Sequence, residues 1–290
     1  MSVLCLIANP AEPVLDTALV QAVRRDTRGE INWLAQGIAC EIVAPKSTDP
    51  VAVARAHIGA LPIDAALVPL ANRRKKLLVA DMDSTMINEE CIDELADMLG
   101  LKAEVAAITD RAMRGELDFA AALDTRVALL KGLGRSAIEA VRRERITLAP
   151  GGRALVQTMK AYGAYTALVS GGFTLFADYF CKRIGFDEAT ANVLDFDGDV
   201  LAGTVQRPIV DRATKAGRLT ALAAERAIPI AETLSVGDGA NDLDMLKASG
   251  LGVALHAKPA VAAEAHVRID HGDLTALLYL QGFADEDLVR

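Results

Sequence analysis

Along the 290-residue chain the spacing of apolar positions changes period several times, and each change marks an element. Val3 to Ala8 is an unbroken apolar run of strand length. Leu15 to Arg25 sets Leu15, Leu19, Val20 and Val23 on one helical face. Ile31 to Val43 predicts one or two strands broken at Gly37, Val51 to Ile58 a helix, and Ile63 to Leu70 a closing strand. Residues 1–72 therefore read as a small α/β unit, with helices laid on one sheet. The stretch Asn72-Arg73-Arg74-Lys75-Lys76 reads as a solvated linker, because a block of like charges ordinarily stays in water.

Four apolar residues, Leu77-Leu78-Val79-Ala80, then predict a strand buried on both faces that runs straight into Asp81. The next seventy or so residues turn helical. Ile92, Leu95, Met98 and Leu99 form a stripe stopped by Gly100, and Val105, Ile108 and Met113 continue it in a second helix. Asp118 caps a third helix, whose Phe119, Leu123, Val127 and Leu130 face inward. Ser136 with Glu139 predicts a capping box for a fourth. Helix returns from Gly151 to Tyr162, closed by Gly163.

Tyr165 to Val169 is a second buried strand, with a helix beginning near Phe173. Asn192 to Val205 reads as a hairpin around Asp197-Gly198-Asp199, and Ala213 to Arg226 as a helix. Thr233 to Val236, Gly252 to Leu255 and His266 to Ile269 supply three more strands. This order predicts an α/β protein whose core, residues 73–88 and 156–290, is a doubly wound, Rossmann-like parallel sheet. Residues 89–155 form a helical cap inserted after its first strand, a candidate lid able to keep water from the chemistry.

Composition narrows the setting. The chain is 52% hydrophobic, enough for a substantial core, and its net charge of −8 argues against a nucleic-acid or anionic-membrane partner. Cys5, Cys40, Cys91 and Cys181 are scattered, with no Cys-x-x-Cys, so neither zinc nor a disulfide framework is indicated and a reducing cytoplasm is expected. The first residues lack the basic lead of a signal peptide. The uncharged span Ala161 to Ala177 holds three glycines and reads as strand, turn and helix rather than as a membrane span.

Three strands end in polar loops. Carboxylates at the carboxyl end of a parallel strand lie where open α/β sheets bind ligands. In Asp81-Met82-Asp83-Ser84-Thr85 one Asp can attack phosphorus or hold a cation while the other handles a proton. Ser170-Gly171-Gly172 suits an anion, since glycines let the backbone approach closely. In Gly237-Asp238-Gly239-Ala240-Asn241-Asp242 the two acids suit a hard cation such as Mg²⁺, with Asp238 as ligand and Asp242 as ligand or brace. Singly, each loop also reads as a helix cap or a plain turn. Lys215, at the start of its helix, would be solvated on spacing alone, but a site with three acids and a phosphate needs a fixed cation.

Together these four segments resemble the motifs of the haloacid dehalogenase-like phosphotransferases, and within that superfamily those of the phosphoserine phosphatases, over roughly residues 73 to 285. The resemblance implies Asp81 as nucleophile and Asp83 as general acid/base. It gives Ser170 and Lys215 to the phosphoryl group, and Asp81, Asp238 and the Asp83 carbonyl to Mg²⁺. Glu90 would meet the ammonium of O-phosphoserine and Arg126 its carboxylate, with Gly171 and Asn241 completing the contacts. The implied reaction is hydrolysis of O-phospho-L-serine to L-serine, the last step of serine biosynthesis. Another small phosphorylated metabolite is the alternative substrate. A further alternative is an inactive core serving an amino-acid-sensing N-terminal module. Some family members carry an ACT-like domain at the N-terminus; residues 1–72 are similar in order but short, and could bind an effector or support a homodimer.

Overall fold

Two sheets, one antiparallel and one parallel, organise the computed structural model, which describes residues 1–113 and 116–290. The first sheet joins β1 (Ser2–Ala8), β2 (Glu30–Ala35), β3 (Ala39–Val43) and β4 (Ile63–Pro69) in the order β2-β3-β1-β4. Its helices are α1 (Thr17–Thr27) and α2 (Pro50–Ile58). Helix α1 starts two residues later than the apolar pattern predicts, because Asp16 caps it by accepting the Leu19 N–H at 2.6 Å. Leu4, Leu6 and Ile42 pack against Val20, Val23, Ala54 and Ile58 of the helices. Val3, Cys5 and Ile7, alternate residues of β1, join the core of the second sheet instead.

The basic junction is not a solvated linker. Arg73 is mostly buried, with Nη1 2.6 Å from Glu41 Oε2, and it donates to the Leu280 and Tyr279 carbonyls at 2.8 and 3.2 Å. Lys75 is 7% exposed, its ammonium 2.7 Å from the Ala231 carbonyl. The guanidinium of Arg74 lies 3.4 Å from the Phe283 ring centre. The reason is an unsatisfied set of carbonyls at the end of a buried helix, together with a buried glutamate, which draw the charges inward.

The second sheet is formed by β5 (Leu77–Ala80), β6 (Tyr165–Phe173), β7 (Glu188–Asn192), β10 (Thr233–Gly237), β11 (Leu251–Leu255) and β12 (Val267–Ile269), all parallel, in the order β12-β11-β10-β5-β6-β7. Between β7 and β10 lie the hairpin β8 (Leu194–Asp197) and β9 (Val200–Val205) and helix α9 (Arg212–Glu225). Strand β6 runs longer than predicted, carrying Ser170-Gly171-Gly172 inside the strand rather than in a turn after it. Asn192, which the hairpin reading places at its start, instead ends β7, a strand that the apolar pattern does not predict. Because β6, β5 and β10 are neighbours, their carboxyl ends converge.

Between β5 and β6 the chain forms α3 (Cys91–Asp97), α4 (Lys102–Met113), α5 (Phe119–Leu129) and α6 (Arg135–Ala140), then returns through α7 (Gly152–Ala161). Leu95, Val105, Leu123 and Val127 are buried, but Met98 and Leu99 are each 39% exposed, since α3 ends before them. The inward placement expected of Met113 falls on a side chain outside the described residues. No capping box forms at Ser136, which lies within α6 behind Gly134. The insert leaves and re-enters through a narrow neck, where Asn88 N–H meets the Thr147 carbonyl at 3.1 Å and Ala149 N–H the Met86 carbonyl at 3.0 Å. Helix α8 (Thr174–Ile184) follows β6, and α10 (Leu243–Ala248), α11 (Pro259–Ala262) and α12 (Ala276–Leu280) complete the chain. Among the described residues no helix is long and apolar enough to cross a membrane.

Candidate active site

Strand β5 is buried throughout and delivers Asp81, 5% exposed, to the rim of the sheet. The neighbouring β10 ends in the loop that carries Asp238 and Asp242, and carboxylate oxygens of all three acids lie within 4.8 Å of one another. Lys215 reaches them from α9. Its ammonium is 2.7 Å from Asp81 Oδ1 and 2.7 Å from Asp242 Oδ1. Asp81 Oδ1 also accepts the Met82 N–H at 2.8 Å, which among the described residues leaves Oδ2 without a protein partner. Both oxygens of Asp242 are engaged, the second by Gly239 N–H at 3.0 Å. A side chain at Gly237 could not coexist with this packing, since a Cβ there would fall 2.4 Å from Asp242 Cγ.

A cavity of about 200 Å³ opens over these strand ends, lined by Asp81, Asp83, Ser170, Asp238 and Asn241 on the sheet side and by Glu90 and Arg126 on the insert side. Gly171 also borders it. Lys215 and Asp242 stand behind the wall, both 0% exposed. Ser170 Oγ accepts the Gly172 N–H at 2.8 Å, so its hydroxyl hydrogen remains available to a ligand. A Cβ at Gly172 would meet Asp83 Oδ2 at 2.7 Å, so glycine is what lets the strand pass so near the acid. Ser84 takes a left-handed φ of 54°, uncommon outside glycine, and donates to Glu90 Oε1 at 2.7 Å. Arg126 donates to the Ala122 carbonyl and to Thr109 Oγ1 at 3.3 and 3.2 Å.

Residues 78–247 match the family model of the haloacid dehalogenase-like hydrolases. The chain belongs to this family. A phosphoserine phosphatase from Albidiferax ferrireducens is 46% identical over 73% of this chain and 92% of its own length. A phosphoserine phosphatase from Streptomyces coelicolor is 45% identical over 85% of this chain, which spans only 60% of that longer protein. Among solved structures, the unliganded probable phosphoserine phosphatase from Vibrio cholerae superposes with a TM-score of 0.80 at 34% identity, covering 99% of this chain and 88% of the other. A phospho-aspartyl intermediate analogue of a phosphoserine phosphatase gives 0.67 at 37% identity, covering 71% and 98%.

The electrostatics of the site follow from crowding acids in a buried place. Burial, then the charge of Asp242, holds the Asp81 carboxyl well above its usual range, with Lys215 opposing. Burial and Glu90 push Asp83 up to about 7, and burial and Asp242 push Asp238 up to about 7. Lys215 is driven upward by Asp242 and Asp81, against its own burial.

Sequence reasoning missed two supports. Asn192 donates to the Gly171 carbonyl and accepts the Val210 N–H, each at 2.7 Å, fixing the Ser-Gly-Gly segment. It carried no pattern signal, since the Glu188–Asn192 segment is largely polar and half-buried and Asn192 itself falls at the start of the predicted hairpin. Thr85 donates to Asp238 Oδ1 at 3.1 Å, tying the first loop to the third.

Proposed function

We propose that this hydrolase converts O-phospho-L-serine and water to L-serine and phosphate through an aspartyl-phosphate formed on Asp81. The observation that carries the reading is the pairing of Asp81 with Lys215. One carboxylate oxygen is pinned by the ammonium and a backbone N–H, while the other borders a cavity walled by both an acid and an arginine. The phosphoserine phosphatase names of the relatives support the same chemistry.

Asp81 Oδ2 attacks phosphorus in line, and the bond to the serine oxygen breaks. Asp83, whose pKa near 7 lets it hold a proton at neutral pH, donates that proton to the departing oxygen. It then takes a proton from water, which attacks the phosphorus of the acyl phosphate, frees phosphate and regenerates Asp81. Ser170 and loop N–H groups donate to the equatorial oxygens, while Lys215, behind the wall and 2.7 Å from Asp81 Oδ1, offsets the charge that gathers there. The donor set fits a hard cation. Asp81, Asp238 and the Asp83 carbonyl would hold Mg²⁺, which supplies further positive charge to the phosphoryl oxygens. Asp242, with both oxygens engaged, braces Lys215 and the Gly239 loop.

Arg126 is the group for the substrate carboxylate, held by Thr109 and Ala122 with Nη2 left to a ligand. Glu90 is the group for the ammonium. Four free and buried cysteines support a reducing, cytoplasmic setting. The test is phosphate release from O-phospho-L-serine with and without Mg²⁺, in the wild type and in Asp81→Asn. Turnover is expected to need both the cation and Asp81, with the fold of the variant intact by circular dichroism. Full activity in Asp81→Asn would remove the nucleophile assigned here.

A further inference from the structure

A second cavity, of about 190 Å³, lies in the seam between the small sheet and the core, bordered by Arg55, Ile63 and Asp64 on one side and Arg268, Asp270 and His271 on the other. Its charges are unevenly satisfied. Asp64 is 5% exposed and is consumed by three backbone N–H groups, those of Asp270, His271 and Gly272, at 2.8, 3.1 and 2.8 Å. Asp270 is paired with Arg268 Nε at 3.1 Å, which among the described residues leaves both terminal nitrogens of that guanidinium unused. Among the described residues, neither the guanidinium of Arg55 nor the imidazole of His271 has a hydrogen-bond or ion-pair partner. Two forked donors and an imidazole facing one cavity, with Asp64 taken up by three N–H groups and Asp270 neutralised through one oxygen by Arg268, make an oxyanion receptor.

The loop that forms one wall continues to the neck of the helical insert. Leu274 N–H donates to the Pro150 carbonyl at 3.2 Å. Gly151 is pressed so closely against the loop that a Cβ there would fall 2.7 Å from Thr275 N and 2.9 Å from Asp273 Oδ1. The adjoining Ala149 is bonded to Met86 at 3.0 Å, three residues past Asp83. A ligand gripping His271 and Arg268 therefore bears on the segment that fixes how the insert re-enters the core.

We propose that the seam cavity is a second, non-catalytic site for a small oxyanion, carboxylate or phosphate, whose occupancy braces residues 270–275 and alters the opening of the insert over the active site. The turnover effect rests on the function proposed above; binding itself does not. The probes are inorganic phosphate and malonate, titrated separately while the amide resonances of His271 and Gly272 are followed by NMR. At least one is expected to shift these resonances saturably, and which one does so separates the phosphate from the carboxylate source. Arg55→Ala combined with Arg268→Ala should weaken that binding at least tenfold, as should Arg55→Ala alone to a smaller degree; both arginines are exposed, so the fold should persist. Absence of saturable shifts with both anions, or shifts unaltered in the double variant, overturns the site.

The coupling has its own readout. At saturating substrate, the bound anion should change kcat at least twofold in the wild type and not in the double variant. Binding that leaves kcat unchanged, or an equal change in the variant, overturns the coupling. If the chain does not hydrolyse phosphoserine, the amide shifts still decide whether the receptor exists, which separates the two failures.

Discussion

Lys215→Met keeps the length of the side chain and deletes the one ammonium placed between Asp81 and Asp242. Lys215 is 0% exposed and touches each carboxylate at 2.7 Å, so water cannot take its place. The variant leaves acids whose oxygens lie within 4.8 Å of one another facing an uncharged thioether. Removing one partner of a buried ion pair costs roughly 3–5 kcal/mol. Protonation of one acid recovers part of this, so the lower end, about 3 kcal/mol, is expected for the metal-free protein. In a chain of this size that corresponds to a fall in Tm of roughly 6–12 °C. Excess Mg²⁺ should shrink the difference, because a bound cation supplies the missing charge. Turnover should fall by about 10²–10³-fold, the scale for losing one preorganised charge contact in the transition state. Differential scanning fluorimetry with EDTA and with Mg²⁺, alongside phosphate release, measures both. A metal-free Tm within about 2 °C of wild type would falsify the claim that this lysine holds the acids together.

Three further outcomes are expected. Arg126→Ala should lower kcat/KM for phosphoserine by about 10²-fold, the scale of charge-assisted hydrogen bonds, while leaving an aryl phosphate nearly unaffected; equal losses on both would end the carboxylate assignment. Gly172→Ala, whose Cβ would meet Asp83 Oδ2 at 2.7 Å and Ser170 Oγ at 3.1 Å, should cut kcat by about 10²-fold with little change in Tm, and unchanged kcat would show that the strand yields instead. Asp83 and Asp238, raised from 3.8 to about 7, are protonated in the folded, metal-free protein at a pH where the unfolded chain has released its protons. Their contribution to stability is therefore full below about pH 4 and lost as pH rises through 7. Mg²⁺ selects the ionised Asp238 carboxylate, so its stabilising effect in urea titrations should grow from pH 5 to pH 7.5, and a flat dependence would argue against Asp238 as its ligand.

The apolar run Leu77 to Ala80 and the acid behind it were legible because a strand buried on both faces has an unmistakable composition and can end only at a rim. Lys215 was not legible from pattern, since a helical lysine looks the same whether it meets water or two carboxylates; the need of three acids and a phosphate for a fixed cation, with the resemblance, selected it. Ser170-Gly171-Gly172 was read as a turn because glycines usually break strands. Here Asn192, from a neighbouring strand, donates to the Gly171 carbonyl and helps keep the segment extended. The charged junction misled for the opposite reason. Runs of like charge favour water unless buried acceptors await them, and Glu41 and the carbonyls of α12 lie far away in sequence. The capping box at Ser136 failed because Gly134 opened the helix first.

The clasp of Arg73 on Glu41 and the end of α12 has a thermodynamic consequence. Val3, Cys5 and Ile7 share one apolar layer with Leu277, Leu278 and Tyr279, so the small sheet cannot peel away without wetting the interior of the larger one. Truncation at the junction would strip an arginine of its counterion and bare an oily face in a single cut. The chain should accordingly melt in one calorimetric transition, and a protease should find the junction no easier to nick than the strands on either side.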